Sequence, residues 1–234
     1  MAFGTSVREG ARQIFQSRVT GDRCQRSKIS LASSPMTAKL AILASGEGTN
    51  FESIVRASRE GRLEAEVVGL ITNRGKIGAL GRADRLYIPS KIIAPSHFNG
   101  RDPWDLALIS QLEAWRADWV ILAGFLALIG PPMLKRFPHR IVNSHPSLLP
   151  KHGGRGMYGD HVHEAVLKAG DLETGITIHT IDDLYDQGKI LAQERVKVER
   201  GDSVTQLSDR VRALELALYP RVLNDLVTGR ITTS

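Results

Sequence analysis

A second cysteine is missing from this chain. Cys24 is the only thiol in 234 residues, so no internal disulfide can form and no cysteine cluster can hold zinc. Stability must come from packing, and a reducing compartment, the cytoplasm, is the expected setting. No apolar run approaches the ~20 residues that a bilayer-spanning helix needs, so the membrane is not an expected partner. Aromatic residues make up only 6% of the chain, too few to supply base-stacking platforms along a groove for single-stranded nucleic acid. The net charge of +6 does not point to nucleic acid either. Arg8, Arg12, Arg18, Arg23, Arg26 and Lys28 outweigh Glu9 and Asp22 within the first 35 residues, which leaves a surplus of only two positive charges for residues 36 to 234. A phosphate-backbone groove needs its cations on the folded body. Internal repeats and low-complexity tracts are absent as well.

What is present is a globular composition, 42% hydrophobic and 24% charged, on a chain long enough for one large core. Residues 1–35 lack a sustained apolar period and read as an appendage: a disordered tail, a targeting segment, or the product of a start assigned too early. The early start is preferred, because Met36-Thr-Ala-Lys39 runs straight into a strand. Residues 36–234 are expected to form a single domain.

From Lys39 onward short apolar runs alternate with helical periods. This predicts an α/β fold, an open, mostly parallel twisted sheet with helices on both faces. Strands are expected at Lys39–Ala44, Glu66–Ile71, Ser90–Ala94, Trp119–Ala123, Arg140–Asn143, Gly175–Ile181 and Ile190–Val198. The last of these alternates and so suits an edge or an antiparallel pairing. Helices are expected at Phe51–Glu60, Ile77–Leu86, Pro103–Arg116 with Leu106, Ile109 and Leu112 inward, Pro132–Phe137 and Asp160–Ala169. A long amphipathic helix follows through Val204, Leu207, Val211, Leu214 and Leu218, capped by Asp202 or Ser203.

Three segments carry chemistry. Ile141-Val-Asn-Ser-His-Pro-Ser-Leu-Leu-Pro150 places an amide donor and an imidazole two residues apart at the end of an apolar run, so period-two geometry sends Asn143 and His145 to one side. Ala44-Ser-Gly-Glu-Gly-Thr-Asn50 follows a strand and opens a helix, where glycines admit an anion to free N–H groups. It lacks the third glycine of the dinucleotide fingerprint and the Gly-Lys-Ser/Thr of a Walker loop, so a small phosphate ester is the expected ligand. Asp182-Asp-Leu-Tyr-Asp-Gln-Gly188 is an acidic loop between strands, from which one carboxylate can reach His145 and favour its charged, oxyanion-stabilising form. Each segment has a plainer reading, as a turn cap, a glycine turn or a solvated loop. His161, His163 and His179 do not have metal-ligand spacing, and no metal is expected. Arg101, at a helix start, is an available cation whose plain reading is an exposed arginine.

Taken together, Ser45-Gly-Glu-Gly-Thr-Asn50, Leu122-Ala-Gly-Phe125, Asn143-Ser-His-Pro-Ser-Leu-Leu-Pro150, Asp186-Gln-Gly188 and Glu215-Leu-Ala-Leu-Tyr-Pro220 resemble the folate-dependent phosphoribosylglycinamide formyltransferase family, over about Lys39 to Gly229. The Asn-x-His-Pro segment is shared by several formyltetrahydrofolate enzymes; the Gly-rich turn and the late Glu215 point to the glycinamide ribonucleotide branch. The resemblance implies formyl transfer from 10-formyltetrahydrofolate, the co-substrate, to the amine of 5'-phosphoribosylglycinamide in purine biosynthesis. It implies Asn143, His145 and Asp186 as catalytic residues and Gly48, Thr49, Asn50 and Glu215 as binding the ribonucleotide. Arg101, Leu126, Ala127, Leu128, Ile129 and Asn143 are implied to line the folate site. The expected partners are small molecules alone, with the chain a monomer or homodimer. Two departures stand out: a Gly-rich stretch from Lys151 to Gly159, and Ala127 where many members carry arginine. Formyltetrahydrofolate hydrolase and methionyl-tRNA formyltransferase are the alternatives, each normally carrying a further domain.

Overall fold

The computed structural model describes residues 37–182 and 186–233. The expected N-terminal appendage lies outside them, as do Asp183, Leu184 and Tyr185 of the acidic loop. The elements run β1 (Ala38–Ala44), α1 (Thr49–Arg59), β2 (Ala65–Thr72), α2 (Gly78–Arg85), β3 (Ser90–Ile92), α3 (Arg101–Ala114), β4 (Trp119–Leu122), α4 (Pro131–Arg136), β5 (Ile141–His145), α5 (Asp160–Ala169), β6 (Glu173–Thr180), β7 (Ile190–Lys197) and α6 (Val204–Val227). A short 3₁₀ turn at Pro95–His97, not expected from the sequence, precedes α3.

The strands form one sheet in the order β3-β2-β1-β4-β5-β6-β7. The first five pair in parallel, while β5–β6 and β6–β7 pair antiparallel. The alternation in β7 thus reports both an edge and an antiparallel pairing. The chain winds outward from β1 in both directions, so β1 and β4 flank the topological switch point. A crevice opens there at the carboxyl ends of the strands, where open α/β sheets bind ligands.

Alternation along β1 divides the core in two. Leu40, Ile42 and Ala44 face Phe51, Ile54, Val211 and Tyr219 of α1 and α6, and Ala41 and Leu43 face Trp104, Leu108, Leu112 and Met133 of α3 and α4. The expected inward face of α3 is corrected here. Leu106 is 59% exposed, and Trp104, Asp105, Leu108 and Leu112 are the buried residues. The helix begins at Arg101 and is anchored by the Trp104 indole N–H donating to the Ile93 carbonyl at 2.8 Å. The apolar stripe therefore runs through 104, 108 and 112, at four-residue spacing.

The long helix α6 starts with a capping box between Ser203 and Gln206. Pro220 inside it removes the N–H that would bond the Leu216 carbonyl. Ser53 of α1 donates to that carbonyl at 2.8 Å, so the break in the ladder becomes a contact between helices. One turn on, the buried Tyr219 hydroxyl donates to the carbonyls of Leu122 and Val142 at 3.1 and 3.0 Å. Burial, with the charge of Glu215 adding to it, holds the pKa of that phenol well above its ordinary value. It therefore stays a donor and pins α6 beneath the ends of β4 and β5.

Candidate active site

A cavity of about 820 Å³ occupies the crevice, within the size range of small-ligand sites. One end is formed by Gly46 to Asn50, the opposite wall by Leu122 to Ile129, and the floor by Asn143 to His145. The segment Gly154 to Asp160, Asp182, Asp186, Arg212 and Glu215 close the remaining sides.

The phosphate-type end is built by backbone. Gly48 caps α1 in left-handed conformation (φ 76°), and no side chain caps the helix, so its first N–H groups remain free for an anion. Only glycine fits at 48, because a Cβ there would lie 2.7 Å from the Cα of Ala79. The same turn is tied to α2, where Ala79 N–H donates to Gly46 O at 3.1 Å and the Arg82 Nε–H to Glu47 O at 2.8 Å. Thr49 and Asn50 are at the first turn of α1, and Asn50 Oδ1 is buried without a hydrogen-bond partner. Arg82 and Arg212 also line the cavity. Neither arginine is singled out by the sequence, since only the packing of α2 and α6 brings them to the cavity. Glu215 reaches the floor, where the Ser144 hydroxyl donates to its carboxylate. Ser144 points opposite to Asn143 and His145 by strand alternation, toward α6.

The opposite wall is apolar. Leu126 N–H donates to Ser45 Oγ at 3.0 Å, and Ser45 N–H to Gly124 O at 3.1 Å, which locks this wall to the Gly-rich turn. Leu126 and Leu128 are half exposed, Ile129 is buried, and Ala127 leaves a short side chain. Arg101 does not line the cavity. Its Nε–H is shared between both oxygens of Asp105 at 3.2 Å, and its guanidinium lies 4.8 Å over Trp104, which in turn stacks on Phe125 of the wall. Desolvation raises the pKa of the fully buried Asp105, and Arg101 opposes that rise. The pair is an i,i+4 interaction of the kind a helix surface presents, legible in Arg101-Asp-Pro-Trp-Asp105. Arg101 Nη2 remains buried without a partner.

The reacting end brings the three expected polar residues together. His145, 3% exposed, has its Nδ1 3.6 Å from Asp186 Oδ2, an ion-pair distance slightly longer than a hydrogen bond. Its Nε2 lies 2.9 Å from the His152 carbonyl. A carbonyl only accepts, so Nε2 carries a proton and Nδ1 is the position that exchanges one. Asn143 is joined by a residue the sequence reading had weighed only as a metal ligand. His179, opposite Asn143 in the β5–β6 register, donates from Nδ1 to Thr180 O at 2.9 Å. Its Nε2 therefore accepts from Asn143 Nδ2 at 3.2 Å, and lies 3.7 Å from Asp186 Oδ1. Burial lowers the pKa of His179, with Asp186 opposing it. A neutral ring is what the contact to the Asn143 amide requires. Asp186 itself, in left-handed backbone (φ 53°), accepts from Gly154 N–H at 2.8 Å. The Gly-rich stretch thus folds directly onto the Asp186 carboxylate. His163, also at the cavity, is buried with its Nδ1 unpartnered, and burial lowers its pKa.

Among the described residues no group of three His, Cys, Asp or Glu is disposed to hold a metal. None of the described helices is long and apolar enough to cross a membrane. A switch-point crevice holding a carboxamide, a carboxylate-paired imidazole and an uncapped helix start is an acyl-transfer arrangement. The comparison with known proteins agrees: the chain belongs to the formyl transferase family, which it matches over residues 38–223. Within that family it is similar to phosphoribosylglycinamide formyltransferases. It is 41% identical over 195 residues to the chloroplastic enzyme of Vigna unguiculata, covering 82% of this chain and 62% of that protein. To its Arabidopsis thaliana counterpart it is 38% identical over 201 residues, covering 84% and 68%. The crystal structure of glycinamide ribonucleotide transformylase 1 from Symbiobacterium toebii superimposes with a TM-score of 0.81 at 34% identity, covering 86% of this chain and 92% of that one. The chain thus spans a little under two thirds of the Vigna protein and nearly all of the bacterial one.

Proposed function

We propose that this chain transfers the formyl group of 10-formyltetrahydrofolate to the amine of 5'-phosphoribosylglycinamide, releasing tetrahydrofolate, as a cytoplasmic step of purine biosynthesis. The observation that carries the reading is the convergence of Asn143, His145 and Asp186 midway between an anion-ready helix start and an apolar wall. In this reading Gly48, Thr49 and Asn50 bind the phosphate, with Arg82 and Arg212 beside them, and Glu215 contacts the ribose or glycinamide end. Leu126, Ala127, Leu128 and Ile129 take the pterin. Arg101, outside the cavity, supports the folate end only through the Trp104–Phe125 stack.

The amine lone pair adds to the formyl carbon, and the carbonyl oxygen becomes an oxyanion. Asn143 gives one N–H to His179 and keeps the second for that oxygen. His145, held at Nε2 by a carbonyl, offers Nδ1–H from the side of Asp186. The bond from carbon to the folate N10 then breaks with its electron pair going to N10. The proton lost by the amine reaches N10 through the Asp186 and His145 pair. Preorganised donors of this kind do not reorganise during reaction, which is the source of their effect. The test is to offer glycinamide ribonucleotide, water and charged initiator tRNA as competing acceptors for labelled 10-formyltetrahydrofolate. Label in the ribonucleotide supports the reading; label released as formate or on tRNA overturns it.

A further inference from the structure

The carbonyl that fixes His145 belongs to a residue outside the cavity, and its geometry is set from further away still. His152 is in left-handed backbone (φ 52°), a conformation that residues with a Cβ rarely adopt. Its side chain explains why the conformation holds. His152 Nε2 lies 2.6 Å from Asp171 Oδ2, both side chains being only 16% and 17% exposed. Lys151 Nζ adds a cation at 3.1 Å from Asp171 Oδ1. Asp171 is in turn held at the end of α5. It follows the left-handed C-cap Gly170, and its N–H bonds the Val166 carbonyl at 3.3 Å. On the inner side, Ser147 Oγ–H donates to the Lys151 carbonyl at 2.6 Å, so the peptide leading into His152 is fixed as well.

We propose that Asp171 and the His152 side chain are positioning residues that fix the tautomer and ring orientation of His145. The proposal rests on the catalytic role given to His145 above. The carboxylate anchors the His152 side chain, the anchored residue presents its carbonyl inward, and the carbonyl holds the proton on His145 Nε2. Nδ1 is thereby left facing Asp186. Neither Asp171 nor His152 lines the cavity, so neither touches substrate. Hydrogen bonds to Asp171, from His152 first and Lys151 second, lower its pKa. It therefore remains a charged acceptor across the neutral range. A merely structural ion pair at the end of α5 would change melting temperature but leave the imidazole of His145 as it was.

Two readouts separate these cases: kcat and KM of the folded enzyme, and the ¹⁵N resonances of the His145 ring, which report tautomer without any substrate. In Asp171→Ala we expect kcat to fall about 10- to 100-fold, the scale of a small misplacement of a catalytic group, while KM for either substrate changes little. The single Nε2–H tautomer should give way to a mixture. Asp171→Asn keeps an oxygen acceptor for the His152 ring and should recover most of the lost kcat. If Asp171→Ala cannot be purified folded, His152→Asn tolerates left-handed backbone but is too short to span to Asp171, and it should give the same two changes. Ring resonances and kcat that match the parent in a folded variant overturn the proposal. A parent that shows the Nε2–H tautomer yet transfers no formyl group counts against the function and leaves the clamp standing.

Discussion

Asn143 and His179 stand opposite each other across the antiparallel β5–β6 ladder, and the carboxamide of the first donates to the ring nitrogen of the second at 3.2 Å. The register of two strands thereby decides which way the Asn143 amide points. With one N–H engaged and the amide unable to flip, the second is available to a developing oxyanion at no orientational cost.

Replacing His179 with Ala should therefore act through Asn143. The amide becomes free to rotate, and kcat should fall about 10²-fold, the scale of losing one oxyanion donor. KM for both substrates should stay near the parent value, because the contact matters only once charge develops. Steady-state kinetics with each substrate varied in turn measures the split.

At the other end of the cavity the expected effect is the reverse. Thr49→Ala or Asn50→Ala should raise KM for the phosphate-bearing substrate and leave kcat nearly intact, since a phosphate contact is the same in the ground and transition states. A fall in kcat alone would place these residues elsewhere in the mechanism.

Gly48→Ala combines a left-handed φ with a Cβ set 2.7 Å from the Cα of Ala79. Because the neighbour is backbone, it cannot swing aside. A stability loss of about 1 to 3 kcal/mol is expected, visible as a lower urea midpoint. Gly46→Ala, which meets nothing within 4 Å, serves as the control with little change.

Acid should destabilise the fold early. His163 and His179 are both held neutral by burial, with pKa values below the ordinary 6.5. The unfolded chain takes up protons near 6.5 while the folded chain does not, so stability is full above that pH. It falls as the pH drops from 6.5 toward the depressed values of the folded state. Denaturant melts from pH 8 to 5 should show this decline, and His163→Gln should make it shallower.

The sequence carried the fold because apolar period and turn chemistry agree in nearly every element; α5 and the start of α6 follow directly from Asp160–Ala169 and Ser203. It misled at α3. There the i,i+3 period through Leu106 and Leu112 competed with a stripe through Trp104 and Leu108, and the indole contact to Ile93 O settled the competition. In the site, Asn143, His145 and Asp186 were legible because each sits in a motif of side chains. His179 was not: within Ile176-Thr-Ile-His-Thr180 it reads as one more buried strand position, and only strand register gives it a partner. His152 O acts through backbone, which leaves no mark in a residue pattern. The buried Arg101–Asp105 pair could have been found from its four-residue spacing.

The most direct test of the account is single-turnover formyl transfer to glycinamide ribonucleotide by the parent, by His145→Ala and by Asp186→Asn, all verified as folded. The pairing of Asp186 with His145 at 3.6 Å predicts transfer by the parent and a rate lower by about 10² to 10⁴ in each variant. Parent-like rates in either folded variant would contradict it.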